Sequence, residues 1–523
     1  MAIVEVLLDG AWRKAHAEGS FHAENPATGE ALAPEFPVSS WEDCEIALAS
    51  AAEAAVAMRT LAPETIAAFL EAYAAKIEHS AAAIVETASA ETGLPIAPRL
   101  KDVELPRTTN QLRQAAAAAR EESWKDAILD LERNIRSYLA PIGPVVVFGP
   151  NNFPLAFNGI SGGDFAAAIA AGNPVIAKAH PLHPETSRLL AVEAMAAAIE
   201  TGMPCGSVQM LYHISNENGL RLVSDARVGA VGFTGSRNGG LHLKRAAEAA
   251  GKPIYLEMSS LNPVLFLPAS LTESGAALAK ELADSCLAGS GQFCTSPNLI
   301  FLFVGQEAEA FVAQVAQSFS ERASGPLLSA SGLKGMEDGV AALTDAHAHL
   351  LTGGVKQNGP GYRFANTLFH LTGSEFLANP HALQREVFGN ATTIVTVANA
   401  EEMEAILAQI EGNLTGTIYS AKSGADDALY ARIEPALRTK VGRLLNDKMP
   451  TGVAVSPAMQ HGGPYPSAGH PGFTSVGIPA SLKRFAVLQC YDGVRPERLP
   501  AILRDASSNP KTWRSISGKW VQG

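Results

Sequence analysis

The chain is short of cysteine, of positive charge, and of the glycine fingerprints that usually mark a nucleotide site. Its 523 residues hold five cysteines, Cys44, Cys205, Cys286, Cys294 and Cys490. The count is odd, the spacings are wide and no C-x-x-C pair occurs, which argues against a disulfide framework or a structural zinc site, and no metal is expected. Such usage fits a reducing, cytoplasmic setting. Lys and Arg total 40 against 52 Asp and Glu, a net charge of −12. That balance speaks against nucleic acid or an anionic membrane surface as partner, because both require basic patches. No apolar run approaches the ~18 residues of a membrane span, and the N-terminus has neither the basic nor the apolar region of a secretory signal. Between strand-like and helix-like stretches there is no G-x-G-x-x-G, and no G-x-x-x-x-G-K-[ST] occurs anywhere.

What is present suits a large enzyme. At 47% hydrophobic residues the chain can fill two or three cores. Ala-rich amphipathic stretches cover about 41–58, 63–92 and 107–122. Short apolar runs at 145–148, 174–178, 208–212 and 230–233 alternate with helical patterns at about 160–171 and 185–201. The pattern resumes with strands near 263–267, 299–304, 393–397 and 415–419. Such alternation predicts an α/β protein with doubly wound parallel sheets. Arg136 to Leu139 reads as a separate strand. The tail from Arg495 onward reads as an irregular surface extension.

Cys294 stands in Gly291-Gln292-Phe293-Cys294-Thr295-Ser296-Pro297-Asn298, directly after a Gly-Ser-Gly run. Small residues around a thiol allow close approach of a ligand and suit a turn that presents a nucleophile; a small buried hydrophobe is the plainer alternative. Phe233-Thr234-Gly235-Ser236 follows a strand, so Gly235 and Ser236 can offer backbone N–H groups to a phosphate at a helix N-terminus.

These pieces occur together with Pro150-Asn151-Asn152-Phe153-Pro154, Gly172-Asn173-Pro174 leading to Lys178, Glu257 before Asn262-Pro263, and Glu386-Val387-Phe388-Gly389. In this order and spacing, from about residue 24 to 490, the chain resembles the aldehyde dehydrogenase superfamily. Glu257-Met258-Ser259-Ser260-Leu261-Asn262-Pro263, Pro450-Thr451-Gly452-Val453 and Gln460-His461-Gly462-Gly463-Pro464-Tyr465-Pro466 make it most similar to the NADP-linked branch of α-ketoglutarate semialdehyde (2,5-dioxovalerate) and fatty aldehyde dehydrogenases. The resemblance implies a Rossmann-type cofactor domain (1–118 and 142–259), an α/β catalytic domain (260–456), and a small β oligomerisation element with the C-terminal segment (119–141 and 457–523), assembling as a homodimer or homotetramer.

It also implies roles. Cys294 attacks the aldehyde, Asn152 donates to the oxyanion, and Glu257 activates water as a general base with a burial-raised pKa. Lys178 bonds the adenosine ribose, Gly235 and Ser236 the pyrophosphate, and Glu386 the nicotinamide ribose, with Phe388 beside the ring. His461 is either a proton relay or a histidine satisfied by backbone. Pro181 stands where NAD-preferring relatives carry a glutamate, so a 2′-phosphate meets no like charge, and Lys178 and His180 attract it; NADP is expected, with NAD still usable. The expected reaction is oxidation of a small-molecule aldehyde, 2,5-dioxovalerate or else a broad range of aliphatic or aromatic aldehydes. A non-catalytic binding protein of the same fold is the remote alternative. A carboxylated substrate wants a cationic anchor, and no arginine near Phe157 or Phe293 stands out in the sequence.

Overall fold

The computed structural model describes residues 3–507 and 509–523. Its frame is a pair of seven-stranded sheets. The first has the order Ile254–Glu257, Ala230–Thr234, Val145–Phe148, Val175–Lys178, Val208–Leu211, Val6–Leu8, Ala11–Arg13. Its first five strands are parallel, and Val6–Leu8 pairs antiparallel with both of its neighbours. Val145, Val146, Val175 and Ile176 are fully buried, as continuous apolar runs in a parallel sheet require.

The second sheet runs His349–Thr352, Thr367–Thr372, Ala391–Val397, Leu299–Phe303, Val264–Phe266, Asn413–Tyr419, Val441–Asn446. All its pairs are parallel except the first. A three-stranded sheet joins Ala17–Asn25, Glu30–Ser39 and His213–Ile214. Most expected helices form as read, with Trp41–Met58 and Leu105–Glu121 close to their expected bounds. The stretch 63–92 is two helices, Pro63–His79 and Ala81–Thr92, broken at Ser80, whose hydroxyl leaves the helix axis to donate to Glu193 at 2.6 Å.

The tail departs from its expected irregularity. Trp513–Ile516 and Lys519–Gln522 form a hairpin that continues a five-stranded sheet with Ile128–Asp130, Ile135–Pro141 and Ala486–Asp492. The charges that suggested a solvated segment are used inside it. Arg514 is buried and donates to the carbonyls of Arg504 at 2.6 Å and Gly523 at 2.9 Å.

In the first sheet the chain turns in opposite directions from Val145–Phe148 and Ala230–Thr234, which are neighbours. Such a switch point opens a crevice at the carboxyl ends of the strands. Residues 149–152 and 235–236 leave those ends, while Lys178 and Glu257 terminate the strands on either side. In the second sheet, Asn262, Cys294, Glu386 and Phe388 all precede strands. The carboxyl ends of one sheet therefore meet loops that enter the amino ends of the other.

The turn before Cys294 is held in a conformation that favours glycine. Gly289, Ser290 and Gly291 have φ of 56°, 56° and 69°, and a Cβ on Gly291 would overlap the carbonyl of Gly389. Gly291→Ala is expected to cost about 1–3 kcal/mol of local stability and to lower aldehyde turnover by roughly tenfold or more, since the thiol and the Phe388 loop would be pushed apart. Wild-type melting and wild-type turnover in this variant would show that the two loops need not touch.

Candidate active site

A cavity of about 700 Å3 connects the candidate residues. Lys178, His180 and Pro181 line one end, Gly235 and Ser236 the middle, and Glu386, Phe388, Asn152, Glu257 and Cys294 the other. His461 lies behind the thiol. Its Nε2 is 3.4 Å from Cys294 Sγ and 3.0 Å from Glu257 Oε1. The side chains of His461 and Glu257 are 0% and 1% exposed, so this is a buried acid–imidazole contact. This contact is an ion pair only when the imidazole is protonated. Ser475 Oγ donates to Glu257 Oε2 at 2.9 Å. Ligand atoms of Glu257, Cys294 and His461 all lie within 4.8 Å of one another.

The charges set the resting state. Burial pushes the Glu257 carboxyl up, but the contact with His461, with hydrogen bonds from Ser475 and Cys294, pulls it down further, leaving it below its ordinary value. The raised pKa expected from the sequence considered burial alone, and the imidazole reverses it. Burial and the Glu257 carboxylate drive the Cys294 thiol well above its ordinary range, opposed by the cations of Arg107 and Arg443. The structure thus holds a neutral thiol beside an ionised carboxylate.

Asn152 is buried, and its side-chain amide donates to the Gln292 carbonyl at 2.9 Å, two residues before the thiol. Asn262, given no role from the sequence, donates to the carbonyls of Cys294 and Ser296, each at 2.9 Å, and fixes the nucleophile loop. Ser260 in the Ser-Ser pair caps the Leu414 N–H at 2.9 Å. Arginines also escaped the sequence reading. Arg99 and Arg107 lie over the rings of Phe153 and Phe157, respectively, at 4.4 and 4.9 Å from the centroids. The signal was Arg107 on the inward stripe of a helix with Glu104, Thr108 and Gln111, all buried.

At the other end, burial pushes Lys178 down to about 8. His180 is held well below its ordinary value by burial and by the charges of His183, Lys178 and His213. Among the described residues, His213 Nδ1 is buried without a partner. Ser236 caps the helix Arg237–Ala249, its hydroxyl accepting from the Gly239 N–H at 3.2 Å. Glu386 Oε1 accepts weakly from Ser260 N at 3.3 Å, and burial raises its carboxyl. This end is rich in inward-facing bases and suits the anionic part of a nucleotide.

The chain belongs to the aldehyde dehydrogenase family, whose model matches residues 12–457. It is an oxidoreductase acting on an aldehyde, and the family's reaction uses a nicotinamide nucleotide, NAD or NADP. It is 39% identical to the "Alpha-ketoglutaric semialdehyde dehydrogenase 2" of Azospirillum brasilense over 98% of both chains. It is 34% identical to an alpha-ketoglutaric semialdehyde dehydrogenase of Acinetobacter baylyi over 84% of both. Among solved structures, an aldehyde dehydrogenase of Pseudomonas syringae, complexed with NAD+ and octanal, superposes with a TM-score of 0.81 at 20% identity, covering 95% of this chain and 98% of that one. At that identity the likeness shows the fold. No helix among the described residues is long and apolar enough to cross a membrane.

Removing the Glu257 charge should ease ionisation of the neighbouring thiol. In Glu257→Gln the pH midpoint for alkylation of Cys294 by iodoacetamide, without nucleotide, is expected to fall by roughly one unit. An unchanged or higher midpoint would mean that the carboxylate does not act on the thiol.

Proposed function

We propose that the enzyme oxidises 2,5-dioxovalerate to 2-oxoglutarate with NADP as the preferred acceptor. The observation that carries the chemistry is the meeting of Cys294, His461 and Glu257 at one end of a cavity lined by bases at the other. The substrate is supported by the two relatives named for it, which match over most of this chain.

His461 Nε2 stands between the thiol and the carboxylate, so in its neutral form, with Nε2 unprotonated, it takes the Cys294 proton as sulfur adds to the aldehyde carbon, and the imidazolium so formed faces Glu257. The resulting thiohemiacetal oxyanion is met by the Asn152 amide, which exchanges its bond to the Gln292 carbonyl for one to the new anion, and by the Cys294 N–H. The nicotinamide nucleotide, when bound, supplies the hydride acceptor. A thioester on Cys294 remains, and Glu257 takes a proton from water to hydrolyse it. The lowered pKa keeps Glu257 ionised and available as a base at neutral pH, at the expense of basicity. Retention of this carboxylate favours water over coenzyme A as acyl acceptor.

The residues fit NADP. Lys178 is desolvated in the cavity wall with His180, His183 and His213 near it, and no acidic side chain pairs with it among the described residues. A 2′-phosphate would supply the missing negative charge. Lys178 and His180 would hold it, Pro181 leaves room, Gly235 and Ser236 offer backbone donors to the pyrophosphate, and Glu386 and Phe388 border the nicotinamide half. A homodimer or larger assembly is also proposed. Ala486–Asp492 is a free sheet edge, with Leu488 66% and Val487 40% exposed, and a second copy would cover it.

With NADP and 2,5-dioxovalerate the purified protein is expected to form NADPH and 2-oxoglutarate without coenzyme A. Cys294→Ala should retain less than a few per cent of the rate. Faster turnover of hexanal or benzaldehyde by wild type would replace the substrate assignment, and substantial turnover by the variant would remove the thiol from its role.

Pro181→Glu places a carboxylate where the 2′-phosphate would sit. The ratio of kcat/KM for NADP over NAD is expected to fall by roughly tenfold or more, since about 1.4 kcal/mol suffices for that factor. An unchanged ratio in a folded variant would show that residue 181 does not face the ribose.

A further inference from the structure

Two arginines reach the apolar pocket around Cys294 without a counter-charge. Phe153, Phe157, Phe293, Val453 and Met459 pack with Cys294 in one cluster. Arg107, from the first turn of Leu105–Glu121, lies 4.9 Å from the Phe157 centroid and 5.7 Å from that of Phe153. Arg443, from Val441–Asn446, reaches the same cluster, with Nη1 at 3.7 Å from Met459 Sδ and Nη2 donating to the Pro450 carbonyl at 2.9 Å. Neither forms an ion pair among the described residues. Arg99 differs, because its Nη1 pairs with Glu104 and its Nη2 donates to the Asn152 carbonyl at 3.1 Å.

Among the described residues, Arg107 Nε and Nη2 are both buried without a hydrogen-bond partner, and so is Arg443 Nε. Nε and Nη2 form one edge of a guanidinium, the edge that engages a carboxylate with two parallel bonds. Elsewhere in this chain the same edge does so. Arg120 Nε and Nη2 clasp Glu64 at 2.6 and 2.8 Å, and Arg432 clasps Glu404 at 2.7 and 2.8 Å. A buried guanidinium edge left empty is costly unless an anion completes it. Burial pushes the Arg107 guanidinium down, and the nearby carboxylates of Glu104 and Glu257 oppose it without pairing with it.

We propose that Arg107, seconded by Arg443, binds the distal carboxylate of an aldehyde substrate whose carbonyl lies at Cys294. The inference rests on the reading that the site oxidises a carboxylated aldehyde, and it names the residue that selects for it. The phenyl rings would take the carbon chain, and the unpaired guanidinium edge beside them would take the anion. An uncharged aldehyde would leave that edge empty and be disfavoured relative to the oxo-acid.

The test is a ratio. Loss of a cation near the thiol affects every aldehyde alike, so kcat/KM for 2,5-dioxovalerate divided by that for pentanal isolates the anchor. Arg107→Met, which keeps the contact with Phe157, is expected to lower the ratio by about tenfold or more, chiefly through KM for the acid. Arg107→Lys should restore part of it. Glutarate, a dicarboxylate that cannot react, should bind Arg107→Met at least about tenfold more weakly than wild type by calorimetry. An equal loss for both aldehydes with glutarate binding unchanged would overturn the anchor while leaving the substrate reading intact. A wild-type preference for pentanal would sink the substrate reading, and glutarate binding would still decide whether Arg107 holds a carboxylate. Should Arg107→Met fail to fold, Arg107→Lys and Arg443→Met are scored by the same ratio and the same calorimetry, and unchanged values in both would overturn the proposal.

Discussion

Glu257 is a carboxylate taken out of water at the end of a parallel strand, with Ser475 on one oxygen and His461 against the other. Removing such a charge from water is costly, on the order of several kcal/mol, unless partners replace the lost hydration. Those partners come from segments distant in sequence, His461 and Ser475, and both must be in place before the carboxylate can be. The thiol shares the arrangement, since the imidazole that faces Glu257 also faces Sγ at 3.4 Å. One buried contact thus ties the first sheet, the nucleophile loop and the late segment around 461–475 into one unit.

The backbone makes that contact reachable. Strands of the first sheet end toward the cavity, whereas those of the second begin there. Loops at the carboxyl ends are where open parallel sheets bind ligands, and here they supply Asn152, Lys178, Ser236 and Glu257. The thiol comes from the opposite wall, on a turn with three successive positive φ values. Strain of that kind persists only where surrounding contacts fix it. Asn262, bridging the carbonyls of Cys294 and Ser296, is one such contact, and the Gly389 carbonyl against Gly291 is another.

What could be read from the sequence was what is local. Val145–Phe148 and Val175–Lys178 are apolar runs whose neighbours decide their state, and they form the strands expected. Cys294 and Gly235-Ser236 carried their chemistry in adjacent residues, and the family resemblance put Asn152, Lys178, Glu257, Glu386 and Phe388 beside them in one cavity. His461 was visible as a residue but not as a neighbour, because 167 positions separate it from the thiol it touches. The direction of the Glu257 shift was misjudged for the same reason, since burial was legible and the opposing imidazole was not. The strands of the tail were missed because its charge and proline were taken as signs of an irregular surface segment, and Arg107 because it lies far in sequence from the phenylalanines it meets. Arg514 is buried on carbonyls, and Arg107 lies against phenyl rings.

The distribution of charge gives the last step. The chain as a whole carries −12, so its outer field repels the anions that the proposed reaction consumes. Inside, cations stand against the sign of the whole, with Lys178 among imidazoles in the cavity wall and Arg107 with Arg443 against the apolar cluster around Cys294. Field from exposed acids is screened within about 8–10 Å at physiological salt, whereas charges in a low-dielectric pocket are screened far less. Selection therefore falls to desolvated cations at contact distance rather than to steering from afar. An anion of the right length would satisfy groups that are otherwise unpaired, and a neutral molecule of the same size would not. The unmatched cations also bear on the chemistry between them, because those beside Cys294 oppose the carboxylate that keeps its thiol protonated. A substrate carboxylate seated on Arg107 would weaken that opposition. The proton of Cys294 must then leave through His461, which is the base placed to take it.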